Sequence, residues 1–121
     1  MIFYKRRDDY VCYTVYTLTI KEGFTSQVGK DLDELLERYD VSYPFCKRRY
    51  NTYDAYDEYK WYEHEDDMKK ISKELGEDVL LLLEGEGEEG MDVWRKYFRN
   101  GKIATYYPEI IWKEFSEEDL R

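Results

Sequence analysis

The sequence predicts an α+β fold, a two-layer sandwich in which two helices cover one face of a largely antiparallel sheet, close to the ferredoxin-like (split βαβ) layout. Three observations carry that prediction. A strand-like run over residues 10–21 is followed by a helical apolar period over 28–39. A second helical period over 64–75 precedes an unbroken aliphatic run, Val79-Leu80-Leu81-Leu82-Leu83. Two further strand-like runs then flank Asn100-Gly101, the dipeptide of a type I′ hairpin turn. With 121 residues and no linker or internal repeat, residues 1–121 read as a single domain.

The elements follow in order. Residues 10–21 (YVCYTVYTLTIK) are rich in β-branched and aromatic types, and Tyr16, Leu18 and Ile20 share one face. Gly23 breaks the strand, and Thr25 or Ser26 can cap a helix. Val28, Leu32, Leu35, Leu36 and Tyr39 then form an amphipathic stripe with Asp31, Asp33, Glu34 and Glu37 on the wet side. Pro44, the basic triplet Lys47-Arg48-Arg49 and Asn51 mark an exposed loop, and residues 55–62 recover a strand. His64 to Leu75 makes a second helix with Met68, Ile71 and Leu75 inward. Acids crowd its first turn and lysines follow, which suits the helix dipole.

Val79 to Leu83 lacks alternation and is expected in a central strand covered on both faces. Glu84 to Gly90 (EGEGEEG) reads as a flexible acidic turn, and Met91–Arg99 and Lys102–Tyr107 as an antiparallel pair ended by Pro108. Ile110, Ile111, Trp112 and Phe115 would supply an apolar tail lying on the core.

Charge is unevenly placed. Residues 51–90 hold 14 acids and 4 bases, whereas the remainder holds 14 acids and 15 bases, so the net −9 comes from one third of the chain. Such a field repels nucleic acid and favours a basic protein partner. No apolar run approaches the roughly 20 residues of a membrane span, and residues 1–21 lack the features of a signal peptide. A cytoplasmic protein with Cys12 and Cys46 as reduced thiols is expected.

From Tyr50 into the acidic third, tyrosines recur at every third position: Tyr50, Tyr53, Tyr56, Tyr59 and Tyr62. A period of three matches neither helix nor strand, so some of these phenols should reach solvent beside carboxylates. Tyrosine offers a rigid, amphipathic contact of the kind enriched at binding hot spots. The expected partner-binding residues are therefore Tyr53, Asp54, Tyr56, Asp57, Glu58 and Tyr59, with Glu86, Glu88 and Glu89 as a second patch. Tyr59 and Tyr62 also suit the scaffold, which narrows the expectation toward Tyr53 and Tyr56.

Other chemistry is weaker. His64 is the sole histidine and lacks a neighbouring nucleophile, so no catalytic set assembles and a non-enzymatic protein is expected. Cys12, Cys46 and His64 lack zinc spacing, and the acids of 63–67 lack the pattern of a calcium loop. No cofactor is called for. The glycines at 85, 87 and 90 alternate with carboxylates that would repel a phosphate.

Duplex DNA carries about one charge per 1.7 Å, whereas alternate strand residues lie about 6.6 Å apart. One strand cannot copy that density. Residues 54–58, 63–67 and 84–89 could approach it only together, and the expected strand order does not require them to meet.

One longer resemblance adds to these readings. Trp61-Tyr62-Glu63-His64-Glu65-Asp66-Asp67-Met68, Gly85-Glu86-Gly87-Glu88-Glu89 and Trp94-Arg95-Lys96-Tyr97-Phe98-Arg99-Asn100-Gly101-Lys102, in that order, resemble small accessory proteins of phages and other mobile elements with a ferredoxin-like domain. The resemblance covers about a third of the chain, Lys60 to Lys102, and implies a fold and a genomic setting rather than a reaction. With the acidic middle, the expectation becomes an anti-defence inhibitor, anti-CRISPR-like. It would occupy the basic nucleic-acid-binding site of a host protein such as a CRISPR effector or other defence nuclease. It would bind no nucleic acid directly and no membrane, and a homodimer through the exposed aromatics is compatible. The alternative is a small-molecule protein that sequesters a nucleotide signal, with tyrosines stacked on the base and Lys47, Arg48 or Arg49 on the phosphate.

Overall fold

In the computed structural model the described residues are 5, 6, 9, 10, 14–43, 45–55, 58–87 and 92–121. Two short strands, β1 (Lys5–Arg6) and β2 (Asp9–Tyr10), pair with each other. The main sheet comprises β3 (Val15–Glu22), β4 (Thr52–Tyr53), β5 (Leu80–Glu86), β6 (Val93–Arg99) and β7 (Lys102–Tyr106). Helices α1 (Ser26–Arg38) and α2 (His64–Leu75) follow β3 and β4 respectively. The strand order is β4-β3-β5-β6-β7, and every pairing is antiparallel. The molecule is thus an α+β sandwich with two helices and a five-stranded antiparallel sheet.

Strand alternation decides which face meets the helices. Tyr16, Leu18 and Ile20 are buried, while Val15, Thr17 and Thr19 between them are only half-buried. Register carries this face across the sheet: Tyr53, Leu18, Leu83 and Lys96 form one row, and Ile20, Leu81, Phe98 and Ile103 another. Leu32, Leu35 and Leu36 of α1 and Met68 and Ile71 of α2 close over them in one core. Thr25 caps α1, its hydroxyl accepting from the Val28 amide at 3.0 Å. Buried Ser72 ties α2 to the β6–β7 hairpin by donating to the Lys69 carbonyl and accepting from the Gly101 amide, both at 2.9 Å. Asn100 and Gly101 have φ of 48° and 81°, the left-handed pair that a type I′ turn requires.

Four expectations need correction. Among the described residues of 55–62, namely 55 and 58–62, the expected strand is absent: the ladder is the two-residue β4, and beyond it isolated bridges pair Ala55 with Phe45 and Tyr59 with Thr14. Part of the acidic turn at 84–90 is strand, because β5 continues through Glu86, which pairs with Val15 and Val93; residues 88–90 lie outside the described residues. The aliphatic run is not covered on both faces: Leu81 and Leu83 face the helices, but no described helix or strand lies over Leu80 and Leu82. Leu82 is buried nonetheless, among its neighbours in the sheet. Finally, the tail does not lie on the core. Ile110, Ile111, Trp112 and Phe115 are 65% to 88% exposed, because the two helices already close the only covered face.

Candidate functional site

The tyrosine ladder departs from its expected split at Tyr53 and Tyr62, whereas Tyr59 packs against the core as expected. Tyr53 is 4% exposed, since its pairing with Leu18 turns it into the core. Its hydroxyl donates to Asp33 of α1. Burial, reinforced by that hydrogen bond, pushes the phenol well above its ordinary pKa, so it stays protonated as a donor. Tyr53 is therefore a core residue and not a surface contact. By contrast Tyr50 and Tyr62, at 75% and 76% exposure, are the solvent-facing rings. Tyr59 is half-buried against the core and meets Tyr43 edge-on at 5.1 Å. Tyr56, Asp57, Glu88 and Glu89 lie outside the described residues.

Asp54 is half-buried and paired with Arg49, which removes much of its reach as an anion. Arg48 is likewise committed, to Asp33 at 3.1 Å and to the Tyr50 carbonyl, with its guanidinium against Gly29. Two of the three cations expected to hold a nucleotide phosphate thus have internal partners, and Lys47 remains exposed.

What survives is an acidic end built from distant parts of the chain. The start of β3 is its axis: Thr14 bridges Tyr59, beside Glu58, while Val15 pairs with Glu86 of β5. Glu86 in turn pairs with Val93, next to Asp92, whose carbonyl accepts from the Gly87 amide at 2.6 Å. The first turn of α2 joins them through Glu65, whose carboxylate lies 2.7 Å from Lys96 of β6. The segments around 58, 63–67 and 84–87 therefore meet at one end of the sheet, which strand order alone did not demand. Among the described residues Glu63, Asp66, Glu86 and Asp92 make no ion pair, whereas Glu65 and Glu84 are paired with Lys96 and Arg95.

Beneath this end lies an aromatic scaffold that sequence reading missed. Tyr16 meets Trp61 at 5.4 Å and Trp94 at 6.0 Å, both edge-on, and His64 stacks on Trp94 at 5.0 Å. Trp94 lies so close over Gly85 that a Cβ there would overlap the indole. Lys96 is 6% exposed, with its ammonium 2.6 Å from His64 Nε2 and 4.2 Å from the Trp94 ring centre. His64 Nδ1 donates to the Trp61 carbonyl at 2.9 Å, leaving Nε2 to accept from Lys96. Burial first, then the Lys96 charge, holds the imidazole below its ordinary pKa, and the Lys96 hydrogen bond holds Glu65 below the usual carboxylate range.

This cluster satisfies its own polar atoms. A groove of about 510 Å³ on the opposite face reaches Gly85 and Trp94, but neither His64 nor Lys96 lines it. The only hint in the sequence was the phase shared by Trp94 and Lys96 along β6, and pairing that with His64 required the fold. The arrangement anchors the N-terminus of α2, and with it Glu63 and Asp66, against the sheet. No protein-family model, curated protein or solved structure matches the chain.

Proposed function

We propose that the chain is a non-enzymatic binding protein whose acidic end occupies the basic, nucleic-acid-binding site of a partner protein. The approach of Glu58, Glu63, Asp66, Glu86 and Asp92 to one end of the sheet, with Glu63 and Asp66 at its helix side and Glu86 on the opposite face, is the observation that carries this reading. Three segments together approach an anionic density that one strand cannot supply. A rigid aromatic bed under the start of α2 holds Glu63 and Asp66 in place and favours binding, because less freedom is lost on contact. The genomic setting implied by the resemblance of residues 60–102, a phage or mobile element, makes inhibition of a host defence nuclease the concrete form of the proposal. The contact set shifts accordingly, away from Tyr53 and Asp54 and toward Glu58, Asp66, Glu86 and Asp92, with exposed Tyr62 beside them.

The test is capture from host lysate with the tagged chain, compared with a Glu58→Lys, Asp66→Lys, Glu86→Lys variant of unchanged circular dichroism. Expected is retention of a nucleic-acid-binding protein that added duplex DNA or RNA displaces, that raised salt weakens, and that the variant loses. Equal capture by both chains, or capture insensitive to salt and nucleic acid, would overturn the proposal.

A further inference from the structure

The second face of the sheet and the tail each lack a partner within one chain. Opposite the helices, Thr17, Glu84, Arg95 and Tyr106 form one row, and Thr19, Leu82, Tyr97 and Ala104 the next. No described helix or strand covers them. A trough runs along this face. Its near end is the groove of about 510 Å³ bordered by Val15, Trp94 and Tyr106, and its middle, about 480 Å³, lies over Leu80, Arg95, Tyr97 and Tyr106. The far end, about 360 Å³, lies by Arg99, Lys102 and Ala104. β7 is also the sheet's edge, and its outer side has no paired strand among the described residues.

The tail starts at the mouth of this trough, where Tyr107 and Pro108 line it, and then turns its apolar side chains to solvent. It carries local structure of its own: Ser116 caps a short 3-10 turn at Glu117–Asp119, and Lys113 pairs with Asp119 at 3.0 Å.

Length and charge match the two. The seven residues of β6 span about 23 Å, and the extended stretch from Tyr107 to Phe115 spans about 30 Å. Residues 93–106 hold four bases and no acid, whereas residues 107–121 hold five acids and two bases. Of these bases Arg95 and Arg99 are held by Glu84 and Glu22, which leaves Lys102 on the open face without an ion pair among the described residues, and Glu117 and Glu118, likewise unpaired, follow directly on the apolar stretch.

We propose that residues 107–121 are an exchange arm that lies in the open-face trough of a second copy of this chain, giving a two-fold symmetric homodimer. Ile111 and Trp112 enter the trough over Leu80, Tyr97 and Ala104 of the other copy, and Glu117 and Glu118 meet its Lys102. The interface is isologous, each copy giving an arm and receiving one. It rests on neither the acidic end nor its target.

Sedimentation of the full chain tests it, using an arm variant (Ile111→Asp, Trp112→Asp) and a face variant (Ala104→Lys). The wild-type chain is expected at twice its 14.9 kDa mass and each variant alone at 14.9 kDa, all with the same circular dichroism. An equimolar mixture of the two variants regains one of the two arm–face contacts, because the face variant still has an arm and the arm variant still has a face, and it sediments above 14.9 kDa at concentrations where each variant alone does not. A monomeric wild-type chain at all concentrations would overturn the proposal, and so would a dimer that the arm variant leaves intact or a mixture that stays monomeric.

Discussion

The Lys96 ammonium of β6 stands 2.6 Å from Nε2 of His64, the first residue of α2, and closes the hydrogen-bond needs of a histidine whose other nitrogen is held by the Trp61 carbonyl. A neutral imidazole is the form that this geometry needs, and stability should depend on pH accordingly. The folded chain disfavours the second proton, while the unfolded chain takes it up near the ordinary value of 6.5. His64 thus contributes stability that is full above pH 6.5 and declines as pH falls below it, by at most about 1.4 kcal/mol per pH unit for one proton. Glu65, whose folded carboxyl titrates below its ordinary 4.5, adds a further loss in the same direction only below that pH. Urea unfolding from pH 8 to 4 should show the first decline, and His64→Gln should flatten it between about 6.5 and 5. An unchanged slope in that variant would remove His64 as its source.

Tyr53→Phe should cost about 1 kcal/mol, the usual net worth of one hydrogen bond, with no effect on partner binding. Asp33→Ala should cost more, about 2 to 3 kcal/mol, because it strands the buried Tyr53 hydroxyl and leaves the Arg48 guanidinium without its anionic partner. Denaturant titration ranks the two. A loss of binding without loss of stability in Tyr53→Phe would return this ring to the contact surface.

Ser72→Ala removes the acceptor of the Gly101 amide, a contact made by a fully buried hydroxyl. A loss of about 1 to 3 kcal/mol is expected. Amide exchange at Gly101 should accelerate by more than in the rest of the sheet, which a merely global destabilisation would not produce.

Gly85→Ala drives a methyl into the space of the Trp94 indole. Repacking of this kind costs about 1 to 3 kcal/mol and should lift Trp94 off His64. Trp94→Phe in the same background should recover part of the loss, since the smaller ring leaves room for the methyl. Absence of recovery would mean that the strand, not the ring, resists the change.

The local elements were legible before any coordinates. Helical spacing placed α2 at His64–Leu75, the cap of α1 was narrowed to Thr25 or Ser26, of which Thr25 serves, and Asn100-Gly101 named its turn, because each depends on residues within a few positions of one another. Alternation over Tyr16, Leu18 and Ile20 also gave the covered face of β3. The strand expected at 55–62 failed because an edge segment has one neighbour only. Pairing there is set by what β3 offers, and not by the β-propensity of the segment.

The sequence by itself determined an acidic α+β chain with its charge in one third and its helices and hairpin in place. Tertiary structure alone decided which tyrosines are buried, that Lys96 and His64 meet, and that three acidic segments share one end of the sheet. Those outcomes rest on register. A shift of one residue in the pairing of β3 with β4 and β5 would turn Tyr53 outward and part Glu86 from Val15, and no local spacing in the chain encodes that choice.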